Sequence, residues 1–169
     1  MRRHQPFYCE ENVYWLLQDE ALVGGAPHAV FITNLVRRCR FMHQRASPEG
    51  QPTWWDYHVV AHAHGQIWDL DTRLPMPMHA GAYLKATFPL RDPTMTFRVV
   101  SAADLFATFT TDRSHMRGAD GSYVQAPPPW APPTAPGYDM NLYRFLDAGD
   151  AAIAGVVFDE AGLQRWIDR

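Results

Sequence analysis

Val13, Leu16 and Leu17 recur at i, i+3 and i+4, the spacing of one face of an amphipathic helix. That pattern predicts a helix opening near Cys9, with Glu10 and Glu11 in its first turn, where acidic side chains complement the helix dipole. Gly24-Gly25-Ala26-Pro27 would end it. The period then changes. Ala29-Val30-Phe31-Ile32-Thr33 is a short apolar run of the kind that forms a buried strand. Thr53-Trp54-Trp55-Asp56-Tyr57-His58-Val59-Val60 and Gln66-Ile67-Trp68-Asp69-Leu70-Asp71-Thr72 are dominated by aromatic and β-branched residues and read as two strands. His64-Gly65 between them supplies the turn of a hairpin.

Beyond the hairpin, Leu74-Pro75-Met76-Pro77 breaks the sheet, and residues 80–88 form a weak helical pattern. Phe97-Arg98-Val99-Val100 predicts a further strand, and Ser101-Ala102-Ala103-Asp104 resembles a capping box opening a helix through Phe109. Asp112-Arg113-Ser114-His115-Met116 is polar and irregular, and residues 118–121 form a turn. Six of the eleven residues from 126 to 136 are proline, which favours extended polyproline II structure. Trp130 and the flanking Tyr123 and Tyr138 suggest a segment packed across the domain surface. Residues 141–146 read as a short helix, 153–158 as a strand and 160–167 as a terminal helix capped by Asp159. Helices mixed with short, mostly hairpin-type strands predict an α+β fold, with a mostly antiparallel sheet against the helix that carries Cys9 at its N-terminus.

Composition narrows the class. A chain of 169 residues, 47% hydrophobic and 20% charged, is expected to form one soluble domain over 1–169. The net charge of −3 gives no reason to propose nucleic acid or an anionic membrane as partner, and no apolar run approaches the roughly 20 residues that span a bilayer. Arg2 and Arg3 are not followed by an apolar segment, so no signal peptide is read there. Cys9 and Cys39 are then expected as free thiols in a reducing cytoplasm, and the protein as a monomer. Arg37, Arg38, Arg40 and Arg45 read as a solvated face, with Cys39 structural among them.

The chemistry follows from the hairpin. A short even-numbered loop puts odd positions of the second strand on the face of even positions of the first, so His58 shares a face with Asp69 and Asp71, directly opposite or one diagonal step away. Either carboxylate could orient the imidazole. Cys9 at a helix start supplies a nucleophile whose pKa the dipole lowers, although Glu10 and Glu11 push the other way. Cysteine, histidine and aspartate in that order are the parts of thiol acyl-transfer catalysis, which needs neither metal nor cofactor. Rival readings are a zinc site at His58, His62 and His64, a base-stacking platform at Trp54, Trp55 and Trp68, and a non-catalytic adaptor that binds N-termini or presents its proline-rich segment.

Tyr8-Cys9-Glu10-Glu11-Asn12, Trp55-Asp56-Tyr57-His58-Val59-Val60, Asp69-Leu70-Asp71-Thr72 and Asp112-Arg113-Ser114-His115-Met116 occur in an order that resembles the protein N-terminal glutamine amidohydrolases. The resemblance continues through Pro127-Pro128-Pro129 and Met140-Asn141-Leu142 and spans nearly the whole chain. It implies deamidation of an N-terminal glutamine to glutamate with release of ammonia through a cysteine thioester. It makes Cys9 the nucleophile, His58 the base and Asp69, rather than Asp71, the orienting carboxylate. The implied fold resembles the catalytic core of transglutaminases and papain-like enzymes, and the implied partners are proteins or peptides beginning with glutamine. Such a substrate carries a free α-ammonium group, for which Glu11 and Asp56 are the candidate carboxylates, with Ser114 and His115 as further candidates for the same pocket.

Overall fold

The computed structural model describes residues 3–169. Its centre is a six-stranded sheet in the order β6-β5-β4-β1-β7-β8, every neighbouring pair antiparallel. The strands are β1 (His28–Asn34), β4 (Tyr57–Ala63), β5 (Gln66–Trp68), β6 (Met78–His79), β7 (Met95–Ser101) and β8 (Val156–Phe158). A separate two-stranded ribbon pairs β2 (Cys39–Phe41) with β3 (Thr53–Trp55). The helices are α1 (Cys9–Leu16), α2 (Ala80–Thr87), α3 (Ala102–Thr108), α4 (Leu142–Leu146) and α5 (Glu160–Ile167).

Strand periodicity splits the core in two. Phe31, Val59, Ala61 and Val100 project to one side, where they meet Val13 and Leu16 of α1, Leu105 of α3 and Phe145 of α4. Val30, Ile32, Val60, Phe97 and Val99 project to the other, against Tyr83 and Leu84 of α2 and Leu163 of α5. Both faces of β1 and β4 are therefore covered, and all seven residues of β4 are buried. The fold is α+β with a mostly antiparallel sheet, as expected, and helices lie on both of its faces.

Several boundaries move, each for a local reason. The predicted 53–60 strand divides at Asp56, whose carboxylate accepts the Tyr57 amide at 3.0 Å and bends the chain between β3 and β4. The second hairpin strand stops at Trp68. Asp69 accepts the Asp71 amide at 3.0 Å and turns residues 69–71 out of the ladder. His64 and Gly65 both have positive φ, 53° and 70°, as a two-residue turn of the primed type requires. α1 ends at Leu16, well before Gly24, where Asp19 accepts the Ala21 amide at 2.9 Å and offers the backbone a turn in place of helix. The last strand begins at Val156 instead of 153, and Ser114–Met116 forms one 3-10 turn.

Two predicted caps are in place, Ser101 Oγ accepting from the Asp104 amide at 3.1 Å and Asp159 Oδ1 from the Gly162 amide at 2.6 Å. The proline-rich segment is tied down across the surface: Thr111 donates to the Pro133 carbonyl at 3.0 Å, and Arg113 donates to the Trp130 carbonyl at 2.7 Å. No helix among the described residues is long and apolar enough to cross a membrane.

Candidate active site

The site forms where β5 runs out. β5 pairs only with Ala61–Ala63 of β4, leaving the Tyr57–Val60 edge open on that side. The N-terminus of α1 docks there, and the Val59 amide hydrogen-bonds the Cys9 sulfur. Cys9 is the first residue of α1, so its own amide is among those that have no partner within the helix.

His58 lies on the same stretch of β4, held by its neighbours. Its ring stacks on Trp55 at 5.8 Å with planes 10° apart, and Phe41 meets it edge-on at 5.3 Å. Nε2 is 2.9 Å from Asp69 Oδ1, which leaves Nδ1 as the nitrogen able to accept a proton. Carrying the β4–β5 register past Trp68 would set Asp71 opposite His58 and Asp69 one diagonal step away. The diagonal residue makes the bond. Its carboxylate is saturated: besides His58, Oδ1 accepts the Asp71 amide, and Oδ2 accepts Gln44 Nε2 at 2.7 Å and the Tyr83 hydroxyl at 2.9 Å.

Burial disfavours a charge on either partner, but each stabilises the other. Asp69 is held below the ordinary carboxylate value, because His58, Gln44 and the Asp71 amide outweigh its desolvation. His58 is raised above the ordinary imidazole value, because the Asp69 charge outweighs burial of the ring. Burial pushes the Cys9 thiol well up, and the Glu10 and Asp71 charges add to this, opposed by the Val59 amide. The surroundings thus favour the neutral form of the thiol and the protonated form of the imidazole, and both groups line one pocket. Cys39, the first residue of β2, is fully buried, and burial pushes its thiol up to about 12.

A pocket of roughly 120 Å³ opens onto Cys9 and His58, walled by Phe7, Trp55, Asp56, Asp71, His115 and Tyr143 among others. Asp56 and His115 thus reach it. Ser114 does not; it is exposed, its amide donating to Asp112 Oδ1 at 2.8 Å. Glu11 does not reach it either. Its carboxylate is wholly buried and faces Arg113, accepting Nε at 2.7 Å and Nη2 at 2.8 Å, with Trp130 Nε1 at 2.9 Å. Both oxygens of Glu11 are engaged, and the carboxylate is buried outside the pocket that a substrate ammonium group would enter.

This buried pair makes a stability prediction. Arg113→Met strips the guanidinium from a carboxylate that water cannot reach, and is expected to cost about 3–5 kcal/mol of stability, read from a lowered urea midpoint. An unchanged midpoint would show that the pair does not hold the proline-rich segment to α1.

Glu10, not Glu11, is the first-turn carboxylate beside the thiol, buried behind the pocket wall. Its Oε2 accepts the Tyr57 hydroxyl at 3.0 Å and lies 3.6 Å from Cys9 Sγ, while Oε1 is 3.2 Å from His115 Nε2. Glu10, Tyr57, Gln44 and Tyr83 were not singled out in the sequence as parts of the site. The zinc alternative does not assemble: His62 lies four residues, roughly 13 Å, along β4 from His58 and packs instead on Trp166 at 4.8 Å and on His28 at 6.2 Å. Burial lowers His62 to about 4. The donors with cation-compatible spacing among the described residues are His58, Asp69 and Asp71, within 4.8 Å of one another. The His58 nitrogen and both Asp69 oxygens are already engaged with protein groups.

A family model described as N-terminal glutamine amidase matches residues 4–167. The protein N-terminal glutamine amidohydrolase of Arabidopsis thaliana is 34% identical over 164 residues, covering 85% of this chain and 74% of that protein. That of Homo sapiens is 33% identical over 165 residues, covering 89% and 80%, and that of Drosophila grimshawi 36% over 141 residues, covering 74% and 68%. A thiol at a helix start, an imidazole on the wall of the same pocket and a saturated carboxylate behind the imidazole thus occur in a chain matched almost end to end, and the chain belongs to the N-terminal glutamine amidase family.

Proposed function

We propose that the chain hydrolyses the side-chain amide of an N-terminal glutamine, giving glutamate and ammonia, through a thioester on Cys9. The observation that carries this reading is the buried His58–Asp69 pair, whose imidazole shares with Cys9 the wall of a pocket sized for one side chain. As Cys9 Sγ attacks the carboxamide carbon, its proton passes to His58 Nδ1, and the carbonyl oxygen takes the negative charge. The Cys9 amide at the start of α1 is placed to stabilise that oxyanion. Asp69 holds the tautomer that exposes Nδ1 and stabilises the imidazolium. His58 then returns the proton to the departing nitrogen, the C–N bond breaks and ammonia leaves. In the second half His58 deprotonates a water molecule that attacks the thioester, releasing glutamate and restoring the thiol. No step needs a metal or other cofactor. Asp56 is a carboxylate of the pocket wall, and we assign the α-ammonium group to it, with His115, anchored by Glu10, lining the same pocket.

The cysteine-bearing helix packed against the strand that carries His58, with Asp69 just past the end of β5, supports a papain- and transglutaminase-like core, and residues 1–169 act as one catalytic domain. Two free, buried thiols suit a reducing cytoplasm. We take the monomer as the working unit.

The direct test is mass spectrometry of a Gln-initiated peptide incubated with the protein, with a gain of about one dalton expected at the first residue; the mass change of amide to acid is fixed by the reaction, and an unchanged peptide would defeat the reading. The electrostatics add a pH prediction. His58 must be neutral to accept a proton, and its pKa is raised above 6.5, so kcat/KM is expected to climb with pH through a midpoint above 6.5. An acid limb centred below that value would mean another group limits the rate. A silent adaptor would give Cys9 no special reactivity. With His58 as its base, Cys9 is expected to alkylate with iodoacetamide, at a pH above the His58 midpoint, well ahead of the deeply buried Cys39. Equal, slow labelling of both would favour the adaptor.

A further inference from the structure

The pocket at Cys9 holds about 120 Å³, room for one side chain and its α-carbon, yet a protein N-terminus continues beyond its first residue. A second, much larger depression of about 760 Å³ lies next to it. Tyr143 of α4 lines both. The two are joined a second time, because Thr33 on the groove floor donates to the carbonyl of Asp56 on the pocket wall at 2.9 Å. The groove is bounded by the end of β1, the start of β7 and the loop after α4.

Its surface is mixed. Leu35 stands 84% exposed at its rim and Tyr143 is 47% exposed, both offering apolar area to an occupant. Thr33, Asn34, Thr94 and Thr96 contribute polar side chains. Of its two arginines, Arg144 is engaged by Asp150 at 2.7 Å. Arg37 lies over the Tyr143 ring at 5.1 Å and has no ion-paired carboxylate among the described residues.

We propose that the polypeptide following the N-terminal glutamine leaves the pocket past Tyr143 and lies in this groove, so that residues two to four of the substrate are read there, with an acidic side chain favoured beside Arg37. This rests on the glutamine-deamidation reading and adds the direction and chemistry of the bound chain. Three extended residues span on the order of 10 Å, so a short peptide is enough to reach from the pocket into the groove. Tyr143 forms the passage between the two depressions and Arg37 braces its ring, so the site and the groove share one wall.

The test compares four substrates ending in amides: Gln-Ala, Gln-Ala-Ala-Ala, Gln-Ala-Glu-Ala and Gln-Ala-Lys-Ala. The expected wild-type result is a kcat/KM about tenfold higher for the tetrapeptide than for the dipeptide, carried mainly by KM. Glutamate over lysine should add about two- to fivefold at low salt, as an exposed ion pair does, and fade at high salt. In Leu35→Ala/Arg37→Asn both ratios should fall toward one; asparagine is chosen because residue 37 has φ of 50°. Thr96→Arg, which fills the groove from β7, should independently reduce the length ratio. Equal wild-type turnover of dipeptide and tetrapeptide would overturn the groove assignment while leaving the deamidation reading intact. So would both variants retaining the wild-type ratios. No turnover of any of the four would overturn the deamidation reading, and this inference with it.

Discussion

Cys9→Ala is expected to slow ammonia release from a Gln-initiated peptide by roughly 10⁶-fold, with His58→Ala nearly as damaging and the double variant no worse than either. The reasoning is that the three groups act as one device. Without the sulfur there is no atom to carry the acyl group, and His58 has no proton to take. Without His58, the Cys9 thiol keeps its proton, since burial and the Glu10 and Asp71 charges push its pKa well up. A helix dipole alone would not free it, because Glu10 and Glu11 occupy the first turn of α1. The alanine loses little packing: Cys9 lies in a cluster with Val13, Val59 and Phe31 that the smaller side chain leaves standing. Melting curves close to wild type should confirm that activity, not folding, has been lost. Normal turnover by a folded Cys9→Ala variant would remove the thiol from the mechanism, and strictly additive losses in the double variant would mean that Cys9 and His58 do not act together.

The parts of this device that sequence exposes are those set by local periodicity. Period-2 alternation through β4 and a two-residue turn at His64-Gly65 are enough to put His58 and the two aspartates on one face. The helical spacing of Val13 and Leu16 is enough to put Cys9 at a helix start. What is hidden depends on contacts between distant residues. Gln44 and Tyr83 saturate Asp69 from 25 and 14 residues away, and nothing near either marks that role. Glu10 and Glu11 show the limit most clearly. Neighbours on a helix point about 100° apart, so one faces the thiol and the other turns into the protein. Which one does so is decided by Arg113, 102 residues later in the chain. The layer of helices on the second face is equally non-local, because the weak pattern at residues 80–88 acquires its meaning only when Tyr83 packs under β4 and reaches Asp69. The groove beside Tyr143 has no sequence signature, being assembled from the ends of β1 and β7 and the loop after α4.

Asp69→Asn should lower kcat by about 10²–10⁴-fold, as loss of the carboxylate does in other nucleophile–histidine–aspartate sites, while Asp71→Asn should cost less than about tenfold. The two aspartates are two residues apart and both lie within 4.8 Å of the His58 donor, so distance alone does not separate them. Their hydrogen bonds do. Every group that faces the Asp69 oxygens is a donor in the tautomer that exposes Nδ1: His58 Nε2, Gln44 Nε2, the Tyr83 hydroxyl and the Asp71 amide. An asparagine amide must point its own N–H groups at some of these. It relieves the clash most easily by donating a hydrogen bond from its own nitrogen to His58 Nε2, which moves the imidazole proton to Nδ1 and blocks the nitrogen that should receive the Cys9 proton. The imidazolium also loses its counter-charge. Asp71 has a different part. Its side chain accepts from His4 Nε2 at 2.9 Å, and His4 is partly exposed, so an asparagine can keep one oxygen toward that partner. Its backbone amide, which holds Asp69, is untouched by the substitution. The measurement is kcat for both variants on one Gln-initiated peptide, with melting curves to confirm folding. Loss of turnover in Asp71→Asn with turnover kept in Asp69→Asn, both folded, would transfer the orienting role to Asp71.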